Sequence, residues 1–181
     1  MAYDFHGKWE RQAGHNAPLY APSSDSEWRK QLCVTHAADM WVRLGAPRDK
    51  LVIGMPTYGR SFQLSEKANY HVNAPASGGG NAGKYTKESA FRRPIHNTYI
   101  FRNLNAGRSR VFRINLQVCQ LLQEGAKYVW DDEMKVPYLV DGDQWVGFDD
   151  EKAIRNKMAW IKSEGYAGAM VWTLDMDDFT G

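Results

Sequence analysis

The chain of 181 residues contains only two cysteines, Cys33 and Cys119, too few for a disulfide framework and without the spacing of a metal site. Its five histidines (His6, His15, His36, His71 and His96) show no i, i+4 pairing and no H-E-x-x-H context, so a metal centre is not expected. No apolar run approaches the ~20 residues that cross a bilayer, and Met1 opens onto Ala2, Tyr3 and Asp4 without a basic segment and apolar core. Neither a membrane span nor a signal peptide is therefore expected in the chain as written. The low-hydrophobicity signature of disorder is also missing, because 43% of residues are apolar and 13% aromatic. One domain, or a piece of a larger one, is the expectation from length.

The formal net charge of +2 conceals an asymmetry. Between Glu88 and Glu124 lie six arginines (92, 93, 102, 108, 110 and 113) and no acid, whereas the remainder carries 17 basic against 21 acidic residues. A nucleic-acid partner would call for a basic surface overall, and none is indicated.

Hydrophobic periodicity predicts a helix over 27–44, with Cys33, Val34, Ala37, Met40, Trp41 and Leu44 on one face, Ser24, Asp25 or Ser26 as cap, and Gly45 and Pro47 as stop. A second helix is predicted over 150–164, with Ile154, Met158 and Ile161 inward, Asp149 or Asp150 as cap and Gly165 as terminator. Apolar runs at 51–55 and 169–174 suit buried parallel strands, and 1–5 reads as the end of another. The order is that of α/β units, in a (β/α)₈ barrel or a doubly wound sheet. Between them, 85–91, 135–140 and 145–148 read as short antiparallel strands, with 141–144 as a hairpin turn and the Gly-rich 76–83 as a loop.

Gly78, Gly83 and Lys84 imitate a phosphate-binding loop, but Tyr85 stands where a hydroxyl should hold magnesium and no apolar strand precedes it, so a plain loop is the better reading. Both barrels and open sheets place sites at the carboxyl ends of strands. Tyr3 and Asp4, then Tyr58 and Arg60, then Trp172 with Asp175, Asp177 and Asp178 fall at three such ends. That mixture suits stacking on sugar rings and hydrogen bonding to hydroxyls and amides, although Tyr58 and Trp172 as core residues and the aspartates as a helix cap explain the pattern equally well. Asp131, Asp132 and Glu133 invite a two-carboxylate hydrolase reading, with a solvated turn the simpler one.

The segments Met1-Ala-Tyr-Asp-Phe-His-Gly-Lys-Trp9, Gly54-Met-Pro-Thr-Tyr-Gly-Arg-Ser-Phe62, Ala74-Pro-Ala-Ser-Gly-Gly-Gly80, Val129-Trp-Asp-Asp132 with Lys135-Val-Pro-Tyr138, Gln144-Trp-Val-Gly-Phe-Asp-Asp150 and Gly168-Ala-Met-Val-Trp-Thr-Leu-Asp-Met-Asp-Asp-Phe179 carry a resemblance. In order and spacing they resemble glycoside hydrolase family 18 chitinases of the arthropod or animal type. The resemblance implies an α/β fold: a partial (β/α)₈ TIM barrel, strands 6–8, with an α+β insertion domain. Residues 1–61 would supply strands 6 and 7 with helix 6, 62–148 the insertion, and 149–181 helix 7 and strand 8. Residues 92–116 depart from the family, as a basic loop for a polyanionic matrix or, the favoured expectation, a gene-model artefact.

By the same resemblance, Tyr3 would hydrogen-bond the acetamide of a central N-acetylglucosamine and Asp4 would contact that sugar. Trp172 would form the floor with Met170 beside it, Tyr58 and Arg60 the glycone side, and Trp9 an aglycone platform. Met1 and Glu133 are weaker carry-overs. The family's Asp-x-x-Asp-x-Asp-x-Glu motif, whose Glu is the general acid, occurs nowhere in the chain, so no catalytic residue is assigned. The implied parent is a secreted, cofactor-free chitinase acting on chitin or chitooligosaccharides by substrate assistance; the alternatives are a non-catalytic chitinase-like lectin and a separate polyanion-binding module. Cys119 would lack its family disulfide partner, Cys33 would be a buried thiol on the helix face, and Met1 would be an internal methionine. Three of eight strands leave edges open, so the remaining N-terminal half of the barrel would be needed for stable folding.

Overall fold

The computed structural model describes residues 1–81, 91–92 and 117–173. In chain order the described elements are a 3-10 turn at Arg29–Gln31, α1 (Val34–Arg43), a second 3-10 turn at Arg48–Lys50, β1 (Val52–Pro56), β2 (Gly59–Leu64), β3 (Ala76–Gly79), β4 (Phe91–Arg92), α2 (Gln117–Gln123), β5 (Lys127–Asp131), β6 (Val136–Asp141), β7 (Gln144–Gly147), α3 (Glu151–Ser163) and β8 (Gly168–Trp172). β1 and β8 pair in parallel, with Val52 opposite Gly168 and Pro56 opposite Trp172. The other strands form an antiparallel sheet in the order β3-β2-β7-β6-β5, with β4 also against β2.

The two sheets meet at residues 56–60, where the chain leaves β1 and enters β2, so β2 straddles the expected boundary at 61–62. Leu19, Val34, Ala38, Ile53, Met55, Ile154 and Ile161 bury one core under the parallel pair. Phe62, Tyr138 and Trp145 centre a second within the antiparallel sheet, Tyr138 stacking on Trp145 at 4.9 Å and Phe62 meeting it edge-on at 5.9 Å. The hairpin turn forms as expected, with Asp141 paired to Gln144 and Gly142 at φ 59.

Helix α3 starts as its sequence predicts: the Asp150 carboxylate accepts from the Ala153 amide at 2.8 Å, and Gly165 at φ 73 follows its end. The first predicted helix is shorter than its periodicity suggests. Cys33 is extended and sits at the N-cap, so regular helix begins only at Val34. Cys33 is buried but not on the helix face, and Asp25 is drawn away from capping by Arg29 and Asn73. The predicted apolar face is also only partly covered: Cys33 and Val34 are buried, while Met40, Trp41 (55%) and Leu44 (73%) are exposed, and Ala38, outside that face, is buried instead. Together with Met1 and Val52, Trp41 rims an apolar groove of about 290 Å³ beside β1.

Three further expectations differ. Ala76–Gly79, read as loop, is β3, because pairing with Phe62, Gln63 and Leu64 overrides the poor strand propensity of glycine. β5, unrecognised in the sequence, is built by pairing with β6 from Lys127–Val140 to Asp131–Val136. Residues 1–5 form no strand but lie against β1, where a Cβ on Gly54 would touch the Tyr3 ring and the main chain of Met1 and Ala2. The strand expected at 85–91 lies outside the described residues save Phe91, as do residues 93–116, Gly83, Lys84, Asp175, Asp177, Asp178 and the side chain of Cys119.

Asp149, which follows β7, is fully buried and receives both of its hydrogen bonds from Lys157 on α3, each at 2.6 Å. Burial pushes the Asp149 carboxyl up and the Lys157 ammonium down, and each charge offsets the other. Removing one partner strands the other in an apolar site, which costs about 3–5 kcal/mol, whereas replacing both by apolar groups costs far less. Urea unfolding is expected to show a loss of this size for Lys157→Met and recovery of most of it in Asp149→Leu/Lys157→Met.

Candidate functional site

At the carboxyl ends of β1 and β8 the chain gathers most of the predicted residues. Asp4 is the centre. Its Oδ1 accepts the Tyr58 hydroxyl at 2.7 Å and the Arg60 guanidinium through Nε at 3.0 Å and Nη2 at 2.8 Å. Its Oδ2 has no hydrogen-bond partner among the described residues. Asp4 adopts φ 62, a left-handed conformation that costs a non-glycine residue about 1–2 kcal/mol and that the surroundings must enforce.

Arg60 is held between aromatic rings, its guanidinium carbon 5.4 Å from the Tyr58 ring centre and 5.5 Å from that of Trp9. Trp9 is 59% exposed, and a Cβ at Gly7 would collide with its indole, so glycine there is a steric requirement of this ring position. Tyr3 meets Tyr58 edge-on at 5.9 Å, and its buried hydroxyl lacks a hydrogen-bond partner among the described residues. Burial, then the Asp4 charge, push the Tyr3 phenol up; burial and the bond to Asp4 do the same to Tyr58, so both remain protonated donors at neutral pH.

Met170 lies opposite Gly54, against which Tyr3 packs, and Trp172 lies opposite Pro56 with its carbonyl accepting from the Thr57 amide at 2.8 Å. Trp172 is half exposed, and Met1 is almost wholly so. Tyr58 is buried, as a core residue would be, yet its hydroxyl is committed to Asp4. Glu133 is placed elsewhere: its carboxylate accepts from the amide and hydroxyl of Ser23. The neighbouring Asp131 accepts from the Met134 amide at 2.8 Å, the turn that its sequence suggested.

Supporting residues that the sequence reading passed over lie in the wholly buried run 13–19. Asn16 accepts from the Asp4 amide at 3.0 Å and donates to the Tyr58 carbonyl at 2.9 Å. His15 donates from Nε2 to the Phe148 carbonyl at 2.8 Å and accepts the Ala17 amide at Nδ1, 3.0 Å away. The available signal was two hydrogen-bonding side chains between Gly14 and Pro18 with no charge beside them. A second network adjoins Trp9 in sequence: Glu10 accepts from His6 at 2.8 Å and from Arg29 at 2.5 Å; burial pushes its carboxyl up, and His6 and Arg29 together outweigh burial and hold it below the usual range.

Burial pushes His15 down to about 3, so the folded protein keeps it neutral while the unfolded chain takes up its proton near pH 6.5. The unfolded state thus binds more protons below pH 6.5, and stability present above that value is lost as pH falls towards 3, by about 1.4 kcal/mol per unit. Lowering the pH from 6.5 to 5 is expected to cost about 2 kcal/mol in urea unfolding, a slope that His15→Gln flattens.

The model of glycosyl hydrolases family 18 matches residues 1–177. A probable endochitinase of Caenorhabditis elegans is 40% identical over 99% of the chain, which spans 25% of that protein. Among solved structures, an immunomodulatory active chitinase from Trichuris suis is 42% identical with a TM-score of 0.83, over 99% of this chain and 43% of that one. Human YKL-39, described as a pseudo-chitinase with retained chitooligosaccharide binding, is 39% identical with a TM-score of 0.82, over 100% and 44% respectively. The chain thus spans less than half the length of these relatives.

Proposed function

The chain belongs to glycosyl hydrolase family 18, and from that membership we propose that it forms the sugar-holding half of a chitin-binding cleft, within an extracellular protein that hydrolyses β-1,4-linked N-acetylglucosamine polymers. The observation that carries the reading is the half-satisfied Asp4 and Tyr3 pair. One Asp4 oxygen is saturated by Tyr58 and Arg60, while Oδ2 and the buried Tyr3 hydroxyl have no hydrogen-bond partner among the described residues. A buried unpaired hydroxyl costs about 1–3 kcal/mol, which a ligand amide or hydroxyl returns.

In this reading the acetamide of the central sugar takes the Tyr3 hydroxyl and lies near Asp4, above the Trp172 indole with Met170 alongside. Its carbonyl oxygen then attacks the anomeric carbon as the glycosidic bond breaks, giving a cyclic oxazolinium-type intermediate that water opens with retention. Orienting that internal nucleophile is the task of this half of the site, and protonation of the leaving oxygen falls to a carboxylic acid outside the chain. Tyr58 and Arg60 line the glycone side, with Met1 as a more distant contact, and Trp9 stacks on an aglycone sugar; Glu133 would reach a distal sugar only by giving up its bonds to Ser23.

The rest of the barrel covers Trp41, Leu44 and Val52 and contributes much of the chain's stability; residues 1–61, 62–148 and 149–181 act as successive barrel, insertion and barrel segments. A second reading, a lectin that binds without cutting, is favoured by the pseudo-chitinase YKL-39 among the relatives. It uses the same residues here, and the missing general acid separates the two.

In the completed barrel bearing that acid, Asp4→Ala or Tyr3→Phe is expected to lower kcat on a soluble chitooligosaccharide at least ~10-fold. Trp9→Ala is expected to weaken oligosaccharide binding by about 1 kcal/mol with a smaller effect on kcat. An unchanged kcat for Asp4→Ala and Tyr3→Phe would remove both role assignments.

A further inference from the structure

Asp4 keeps a left-handed backbone and an off-centre carboxylate, and the only side chain that grips its main chain is Asn16, among the described residues. Asn16 is 0% exposed and lies 12 residues from Asp4 and 42 from Tyr58. Its Oδ1 accepts the Asp4 N–H, its Nδ2 donates to the Tyr58 carbonyl, and its own carbonyl accepts the Phe5 N–H at 3.1 Å. One amide thus ties the segment carrying Asp4 to the turn carrying Tyr58.

We propose that Asn16 is the positioning residue of the sugar site, fixing Asp4 and Tyr58 relative to each other so that the Asp4 carboxylate meets the Tyr58 hydroxyl and the Arg60 guanidinium with one oxygen and offers the other to the ligand. The inference rests on the reading of Asp4 as a sugar contact for its functional meaning, but its geometry stands without it. Only an asparagine supplies the required pattern at this reach. The Asp4 amide demands an acceptor and the Tyr58 carbonyl a donor, so a single amide orientation satisfies both. Aspartate would set a second acceptor against the carbonyl, leucine would leave both main-chain groups buried and unpaired, and glutamine would add a methylene in a site with no free surface.

Three measurements on the full chain test this. In the unmodified chain, hydrogen exchange followed by NMR should show the Asp4 amide slowed at least ~100-fold relative to that of exposed Lys8, and equal rates would overturn the inference without any variant having to fold. In Asn16→Ala and Asn16→Asp, the Tyr58 phenol, followed by carbon-labelled tyrosine, should titrate lower than in the unmodified chain, and Asp4→Ala should shift it in the same direction. Gln144→Ala, another buried amide lost from the other sheet, should leave Tyr58 unmoved, whereas an unmoved Tyr58 in a folded Asn16 variant would sink the inference. With chitopentaose as probe, Asn16→Ala and Asp4→Ala should each weaken binding about tenfold and the double variant no further, while additive losses would show that Asn16 does not act through Asp4. If no form of the chain binds chitopentaose even when completed by the rest of the barrel, but exchange and Tyr58 behave as stated, the sugar reading falls and the positioning role of Asn16 stands.

Discussion

The Asp4 carboxylate is the knot in which three distant parts of the chain are tied. Asp4 comes from the segment that lies against β1, Tyr58 from the turn between the two sheets, and Arg60 from β2 of the antiparallel sheet. Hydrogen bonds to a charged group are stronger than neutral ones, and here three of them converge on one oxygen. Arg60 cannot leave without losing both its carboxylate and its two aromatic neighbours, so its rotamer is fixed before any ligand arrives. A polar cluster whose members are already held by one another presents itself to a ligand without an ordering cost.

The same junction is secured from beneath by groups that never reach the surface. His15 links the run 13–19 to Phe148, and the next residue, Asp149, is locked to Lys157 in the middle of α3. The antiparallel sheet is therefore fastened to the helix that returns the chain to β8, and through β8 to Trp172. Buried charges and a neutral buried imidazole are poor sources of net stability, but they accept few alternative packings. What they give is registry between the sheet that carries Arg60 and the strand pair that carries Tyr58 and Trp172.

Elements whose signal is local were legible in the sequence. The cap and terminator of α3, the apolar strands β1 and β8 and the Gly142 turn are each written in a few adjacent residues. β3 was not legible, because Ser77, Gly78 and Gly79 favour no strand by themselves and obtain one from β2; β5 was passed over although Tyr128, Val129 and Trp130 are strand formers, and it obtains its register from β6. Cys33 misled for a related reason: it lies on the apolar arc, but amides 34 and 35 bond to the carbonyls of Pro18 and Leu19, which starts the helix one residue later. Of the site, strand-end polarity found Tyr3, Asp4, Tyr58, Arg60 and Trp172, and resemblance added Trp9 and Met170. Asn16 escaped because its importance lies in two main-chain groups that are 12 and 42 residues away, and no spacing rule encodes that.

The exposed side of α1 follows from the same division between local pattern and long-range packing. A helix with Val34 and Ala38 inward and Trp41 and Leu44 outward carries more apolar surface than its own fold covers. The excess is not scattered, for Trp41 meets Met1 and Val52 around one groove next to the open side of β1. Isolated apolar residues on a surface need no explanation, but a contiguous groove at a strand edge does. Among the described residues β1 is strand-paired only with β8, so a further extended segment on its other side would satisfy the edge and bury the groove in one step. Tyr3 and Asp4 sit at that same edge. Whatever packs there therefore also walls the open flank of the Asp4 cluster, and the geometry of that cluster and the completion of the sheet become a single structural requirement.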